Sequence, residues 1–184
     1  MAPKKPIEKA TFPHVVESAS ENGSGPEALY AALDLGTNSC RMLIAQPKGA
    51  QFHIIDSFAK SVQLGSGLEK TGKLSRDSMN RTIQALRICK QKLDKYDVKY
   101  SRLIATEACR RAKNSQDFIL KVFQETGLKL NIIDTEEEAR LAVISCAPLV
   151  SSKSEQLLVV DIGGGSTELV WIDLSAVPSH ERPK

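Results

Sequence analysis

Residues 157–173 read LLVVDIGGGSTELVWID, and this stretch decides the fold expected for the rest of the chain. An apolar run ends at Asp161, three glycines follow at 163–165, and a second apolar run closes the stretch. Two apolar runs around a glycine turn predict a β-hairpin, with positive φ angles at the glycines, where side chains would not fit. A turn without side chains also lets backbone N–H groups approach an oxyanion, and Ser166 and Thr167 add hydroxyl donors.

Residues 31–45 follow the same plan earlier in the chain, in the stretch AALDLGTNSCRMLIA. An apolar run is again followed by an acid, a glycine and polar residues, and a second apolar run comes next. Two hairpins built from an acid, glycine and hydroxyl groups predict a phosphate that is held from two sides. The candidate phosphate-binding residues are Gly36, Thr37, Asn38, Ser39, Gly163, Gly164, Gly165, Ser166 and Thr167.

Either turn on its own would suit an ordinary β-hairpin, because glycine turns are common in hairpins. The presence of two such turns in one short chain favours a ligand site. Neither turn matches the lysine-ended phosphate loop or the strand-to-helix dinucleotide fingerprint, since strand-like apolar residues follow each of them.

The composition is that of an ordinary globular chain of 184 residues, enough for one domain or slightly more. Aromatic residues make up only 5%, which argues against a protein that stacks the bases of single-stranded nucleic acid. The net charge of +3 does not by itself indicate a nucleic-acid or membrane partner, and no apolar run reaches membrane-spanning length. The four cysteines lack metal-ligand spacing and predict free thiols in a reducing cytoplasm.

Charge is distributed unevenly along the chain. Residues 73–113 hold twelve Lys and Arg against four Asp and Glu, whereas residues 134–173 hold eight acids against two bases. A solvated basic helix face would explain the first segment. The alternative is a surface that steers an anionic substrate toward an acidic, metal-holding edge.

The order of the predicted elements indicates an α/β sheet with helices on its faces. Helices are predicted at 75–94, 115–126 and 136–146, with Ser75 and Asn114 as N-caps of the first two. Residues 64–72 are predicted to be a loop. The strands are predicted at 30–35, 41–45, 51–63, 101–106 and 128–133, before the second hairpin. The predicted organisation is a flexible basic arm at 1–27, a first domain at 28–150, and the start of a second domain at 151–184.

Four motifs carry a resemblance to a known family. The stretches LDLGTNS, ATEACRRAKN, EEEARLA and VVDIGGGSTELV resemble those of the exopolyphosphatase and guanosine pentaphosphate phosphohydrolase (Ppx/GppA) family. That family belongs to the superfamily of actin, sugar kinases and heat-shock ATPases. The resemblance implies a ribonuclease H-like, actin-like ATPase domain with a five-stranded mixed sheet flanked by helices. It also implies that residues 157–173 are the first hairpin of a second, like domain.

The resemblance implies a Mg²⁺ cofactor held by the acids beside the two turns, Asp34, Asp161 and Glu168. Mg²⁺ keeps several waters and takes one or two carboxylates from a protein, so these acids suit it. Either aspartate could instead bond the turn amides.

Arg110 and Glu138 are the candidate catalytic residues that the resemblance implies. Arg110 matches the arginine that contacts phosphate in the family. Arginine suits this role because its guanidinium pairs bidentately with phosphoryl oxygens. Glu138 matches the family's general base, which positions and deprotonates the attacking water. The structural alternatives are that Arg110 is simply exposed to solvent and that Glu138, at the start of a helix, complements the helix macrodipole.

The activity implied is Mg²⁺-dependent release of terminal phosphate from inorganic polyphosphate or of the 5′ γ-phosphate from guanosine pentaphosphate. The alternatives are a sensor that binds polyphosphate or alarmones without turnover, and an ATP-dependent kinase of the same superfamily. The expected setting is a cytoplasmic protein without a specific nucleic-acid or membrane partner, and a homodimer in the complete protein.

The resemblance covers only the N-terminal part of the family's pattern. Because the far wall of the cleft would come from a second domain, residues 1–184 alone are expected to bind phosphate ligands weakly and hydrolyse them poorly. The second hairpin is expected to expose apolar surface at 169–172, which favours self-association.

Overall fold

The computed structural model describes residues 28–49, 51–151 and 153–175. The predicted flexible arm at 1–27 lies outside these residues, as does the end of the predicted second domain beyond residue 175. The division into an arm and two domains therefore stays a prediction.

A five-stranded mixed sheet forms the body of the chain, as the sequence predicts. Its strands are β1 (Tyr30–Leu35), β2 (Ser39–Lys48), β3 (Gln51–Ser61), β4 (Tyr100–Ala105) and β5 (Asn131–Ile132), in the order β3-β2-β1-β4-β5. The first three strands are antiparallel, whereas β4 pairs with β1 and β5 pairs with β4 in parallel. Since β1 and β4 are parallel, both of their carboxyl ends meet at one edge of the sheet, where Asp34 and the ATEACRRAKN motif lie.

The described residues form five α-helices, all of them after β3 and interspersed with β4 and β5. They are α1 (Leu68–Thr71), α2 (Arg76–Lys95), α3 (Glu107–Arg111), α4 (Ser115–Thr126) and α5 (Thr135–Cys146), and a short 3₁₀ helix (Ala147–Leu149) comes after them. The predicted loop at 64–72 is wrong in part, because α1 forms one helical turn between glycines 67 and 72, both with positive φ. The strand predicted at 128–133 shrinks to the two residues of β5.

Two of the helix ends show what capping patterns can and cannot predict. Ser75 caps α2 as expected, since its hydroxyl accepts a hydrogen bond from the N–H of Ser78. Asn114 precedes α4, but its side chain does not cap that helix. Its amide instead forms two hydrogen bonds with the backbone of Leu74, which lies 40 residues earlier.

The hydrophobic core lies between one face of the sheet and helices α2 and α4. Side chains of β1 and β2 that point to this face alternate with exposed ones, as a half-buried sheet requires. The core residues of these elements are Leu33, Leu35, Cys40, Met42, Ile44, Ile83, Leu86, Leu93, Phe118 and Val122. None of the described helices combines the length with the apolar character that a membrane crossing requires.

Helix α5 is held by polar contacts rather than by burial, because none of its residues is fully buried. Asp134 caps it, and Glu137 joins it to β4 through an ion pair with Arg102. Hydrogen bonds from Arg140 and then from Arg102 lower the pKa of Glu137 from its ordinary value of 4.5 to about 2. The ion pair between α5 and β4 therefore contributes only while Glu137 is ionised.

Replacing Glu137 with Gln is expected to lower the Tm at pH 7 by about 2 °C, the scale of a partly exposed ion pair in a chain of this size. Because the pKa of Glu137 is lowered by folding, its contribution is present above pH 4.5 and is lost as the pH falls toward 2. Thermal melts between pH 7 and pH 3 should show the two proteins converging. Glu136→Gln, an equal charge change at an exposed site of the same helical turn, should leave the Tm unchanged.

The second hairpin consists of β6 (Gln156–Ile162) and β7 (Thr167–Asp173), which pair antiparallel as a separate two-stranded sheet. Its inner face carries the buried Val159 and Glu168. On the outer face, Leu169 and Trp171 are 69% and 63% exposed, which confirms the expectation of exposed apolar surface there. Self-association through this face stays a prediction.

Candidate active site

The first glycine turn joins β1 to β2 and is closed by a hydrogen bond from Gly36 N to Ser39 O of 2.9 Å. A neighbouring segment holds its carbonyl groups: Val62 and Gln63 donate to Asn38 O, and Gly65 donates to Thr37 O, at 2.8–3.0 Å. Apart from hydrogen bonds within helices and strands, no backbone carbonyl of the described residues accepts a hydrogen bond from the N–H of Thr37 or of Asn38. The turn is thus fixed through its acceptors while these two donors stay available.

Residues 62–65 are themselves held in place by a long side chain from helix α2. The Nε of Arg81 donates to Val62 O at 2.6 Å, and its Nη2 donates to Gln63 O at 3.2 Å. Gln63 has a positive φ of 48°, a backbone conformation uncommon for a residue with a side chain. Sequence reasoning missed this support, although the glycine-rich pattern LGSGLEKTG at 64–72 is the signal that could have found it.

The second glycine turn joins β6 to β7 and is closed in the same way, by a hydrogen bond from Gly163 N to Ser166 O of 2.9 Å. The expected positive φ angles are wrong, because the positive-φ glycines of the described chain do not include residues 163–165. The expectation that side chains would not fit there is confirmed for two glycines. A Cβ on Gly164 would lie 2.3 Å from Asn38 Nδ2, and a Cβ on Gly165 would lie 2.7 Å from Thr37 Oγ1.

These contacts place the two turns against each other, as the sequence predicts. Thr37, Asn38, Gly164 and Gly165 together line a cavity of about 400 Å³. The remaining candidates for phosphate binding belong to the same turns but are not among the lining residues: Gly36, Ser39, Gly163, Ser166 and Thr167. The cavity wall is completed by residues 63 and 65–70 and by Glu107, Ala108 and Arg111.

Arg110 lies on the short helix α3, directly after β4, and its side chain is only 15% exposed. Its Nη1 donates to Ile133 O at 2.9 Å, and its Nη2 donates to Glu107 Oε2 at 3.0 Å. The same Nη2 lies 2.6 Å from Glu138 Oε2. Burial lowers the pKa of Arg110, but the contacts with Glu138 and Glu107 outweigh this and raise it, so the guanidinium stays charged.

Glu138 extends from the first turn of α5 into the site, and its side chain is 17% exposed. Its Oε2 is buried and has no hydrogen-bond partner in the described chain, so the close approach to Arg110 is an ion pair without hydrogen-bond geometry. A buried carboxylate oxygen in this state has lone pairs available for a water or a cation. The neighbouring Glu137, by contrast, is committed to surface ion pairs, so these two acids of one helical turn have different surroundings.

The remaining acids of the site interact through their charges. Desolvation by neighbouring atoms raises the pKa of Asp34 although the residue remains solvent-accessible; Glu138 and Asp161 raise it further, and Arg41 opposes them. Asp161 and Glu168 are directly paired across the second hairpin, where Glu168 is buried. The two catalytic candidates are thus in contact, and Asp34 interacts electrostatically with Glu138 and with Asp161.

This donor set fits a Mg²⁺ ion that keeps most of its water. Within the described part of the chain, no three His, Cys, Asp or Glu side chains converge as a metal-binding group. Mg²⁺ needs only one or two protein carboxylates, however, and a cation would offset the repulsion that Glu138 and Asp161 exert on Asp34. Asp34, Asp161 or Glu168 would supply those carboxylates.

Comparison with known proteins bears on this site. A sequence model of the Ppx/GppA phosphatase family matches residues 43–181. The crystal structure of the Aquifex aeolicus member of that family is 36% identical, with a TM-score of 0.70 over 79% of this chain and 47% of that one. An exopolyphosphatase from Cytophaga hutchinsonii is 27% identical, with a TM-score of 0.75 over 79% of this chain and 46% of that one. The chain therefore spans about half the length of the solved structures it matches.

Proposed function

The chain belongs to the Ppx/GppA phosphatase family, and from this premise we propose that it is a phosphohydrolase acting on phosphoanhydride bonds. The proposed substrates are inorganic polyphosphate, which loses its terminal phosphate, and guanosine pentaphosphate, which loses its 5′ γ-phosphate. The observation that carries the proposal is the contact of 2.6 Å between Arg110 and Glu138, beside two glycine turns that meet at one cavity. This contact supports the proposal because a guanidinium can bind phosphoryl oxygens and a neighbouring carboxylate can accept a proton.

The two turns would bind the phosphoryl group through backbone and hydroxyl donors. Apart from hydrogen bonds within helices and strands, no backbone carbonyl of the described residues accepts a hydrogen bond from the N–H of Thr37 or of Asn38. The hydroxyl of Thr37, which lies beside Gly165, is a further donor. Such donors are fixed before the substrate arrives, so little reorganisation is needed as charge develops on the phosphoryl oxygens. Mg²⁺, when bound by the acids beside the turns, would neutralise part of the substrate's charge.

Arg110 and Glu138 would perform the chemical step. The guanidinium binds the oxygens of the scissile phosphoryl group, while the Glu138 carboxylate accepts a hydrogen bond from a water in line with the leaving oxygen. The water oxygen forms a bond to phosphorus as the bond from phosphorus to the bridging oxygen breaks. The proton of the water passes to Glu138, and the products are orthophosphate and a chain shorter by one phosphate.

A sensor without turnover is the second candidate, and one observation favours it. In this structure Nη1 of Arg110 donates to Ile133 O, and Nη2 contacts the carboxylates of both Glu107 and Glu138, so a phosphoryl group would have to compete with these partners. A site in this arrangement could bind a phosphate ligand without activating a water.

Phosphate release under single-turnover conditions separates the two candidates. The chain is mixed with polyphosphate or with guanosine pentaphosphate, in Mg²⁺ and in EDTA, while calorimetry measures binding in parallel. The proposal predicts binding of at least one substrate and Mg²⁺-dependent release of orthophosphate, even if the release is slow. Binding without release would favour the sensor, and the absence of both would contradict a phosphoanion site.

A further inference from the structure

Glu107, the first residue of α3, lies between two arginines at the edge of the cavity. Its Oε2 accepts a hydrogen bond from Arg110 Nη2 at 3.0 Å, and its Oε1 lies 3.6 Å from Arg111 Nε. The side chain is only 19% exposed, so the carboxylate is held in this position rather than free in solvent. One acid thus bridges both arginines of the ATEACRRAKN motif.

The same side chain contacts the second glycine turn. A Cβ placed on Gly165 would lie 3.3 Å from Glu107 Cγ, so the methylene part of Glu107 packs against this turn. Glu107 also lines the cavity together with residues of both turns. Arg110 itself is not among the residues that line the cavity, whereas its hydrogen-bond partner Glu107 is. A phosphoryl group in the cavity would therefore meet Glu107 before it could contact the guanidinium.

The donors of Arg110 show which contact a ligand would have to replace. Nη1 is committed to Ile133 O, which fixes the guanidinium in the site, and Nη2 is shared by Glu107 and Glu138. Arg110 is the one cation paired with Glu138 in the described chain, whereas Glu107 has Arg111 as a second partner. Displacing Glu107 leaves no acid unpaired, so it is the less costly exchange.

We propose that Glu107 is a specificity-determining residue that competes with the substrate for Arg110 and moves onto Arg111 when a phosphoryl group binds. This inference rests on the proposed phosphoanion site. An incoming anion must replace an intramolecular carboxylate, so ligands that bind Arg110 weakly are excluded. Only an anion that also engages the two glycine turns gains enough to displace Glu107. The residue thereby restricts the site to phosphoryl groups that reach both turns.

Binding of tripolyphosphate in the presence of Mg²⁺ to the full chain tests the proposal by calorimetry. Glu107→Gln keeps the size of the side chain and removes its charge, so the dissociation constant should fall by about 5- to 30-fold, the scale of a hydrogen bond between charged groups. Glu125→Gln is the matched control, because Glu125 likewise lies between two basic side chains, Arg87 and Lys121, but is not among the residues that line the cavity. Its effect should stay below about twofold.

The Glu107→Ser variant is measured alongside, because serine suits the start of a helix. Like Glu107→Gln, it should bind tripolyphosphate more tightly than the wild type. Circular dichroism melts confirm that each variant is folded. Unchanged or weaker binding by folded Glu107 variants, with wild-type binding intact, would show that Glu107 orients the arginines instead of competing for them. If neither wild type nor any variant binds tripolyphosphate, the phosphoanion site and this inference are both wrong.

Discussion

Glu138→Gln is expected to lower the single-turnover rate of phosphate release by about 10²- to 10⁴-fold while leaving substrate affinity within a few fold. Gln is nearly isosteric with Glu but cannot accept the proton of the attacking water. The buried Oε2 that has no hydrogen-bond partner is the atom that would lose this capacity. The measurement is rapid-quench phosphate release, with the dissociation constant taken from calorimetry on the same samples.

Glu136→Gln is the control for this prediction, because it makes the same charge change in the same helical turn at an exposed position. It should release phosphate at the wild-type rate. Wild-type turnover by Glu138→Gln would mean that Glu138 only complements the helix dipole and holds Arg110.

Arg110→Lys is expected to reduce kcat/KM by about 10- to 100-fold, the scale of one or two hydrogen bonds between charged groups. Lysine keeps the positive charge but cannot donate to Ile133 O and to a phosphoryl group in the same planar arrangement. It would also leave Glu138 with a weaker partner. Steady-state kinetics with polyphosphate measure the loss.

The neighbouring arginine supplies the comparison for Arg110→Lys. Arg111 is 45% exposed and its carboxylate contacts are long, 3.6 and 4.0 Å, so Arg111→Lys should change kcat/KM by less than about threefold. Equal effects at the two positions would indicate that only the total positive charge matters, and Arg110 would not be the residue that contacts the phosphoryl group.

The sheet could be predicted from the sequence because its signals are local. Apolar runs and the serine cap of α2 act within a few residues, and the cap lies where the sequence predicts it. The family resemblance then supplied the five-stranded mixed sheet, which residue periodicity does not contain, whereas the similarity of the two glycine turns had already predicted one phosphate held from two sides. The strand at 128–133 was overestimated, since apolar residues there pack against the core without pairing along their full length.

The parts of the site that the sequence did not predict depend on contacts between distant residues. Asn114 bonds to Leu74 instead of capping its own helix, and the segment at 62–65 holds the first turn through hydrogen bonds across more than 20 residues. Gly164 and Gly165 are required by the approach of Asn38 and Thr37 and not by positive φ, which a hairpin pattern cannot distinguish. The position of Glu107 between Arg110 and Arg111 could not be predicted either, because it depends on where both arginine side chains lie.

The central claim is that the two glycine turns form one phosphate site, and an amide NMR titration with tripolyphosphate and Mg²⁺ tests it most directly. The account predicts that the amide resonances of Thr37, Asn38, Gly164 and Gly165 shift together and fit one dissociation constant, because these residues line one cavity. Shifts confined to one turn, or two turns that fit clearly different dissociation constants, would contradict it.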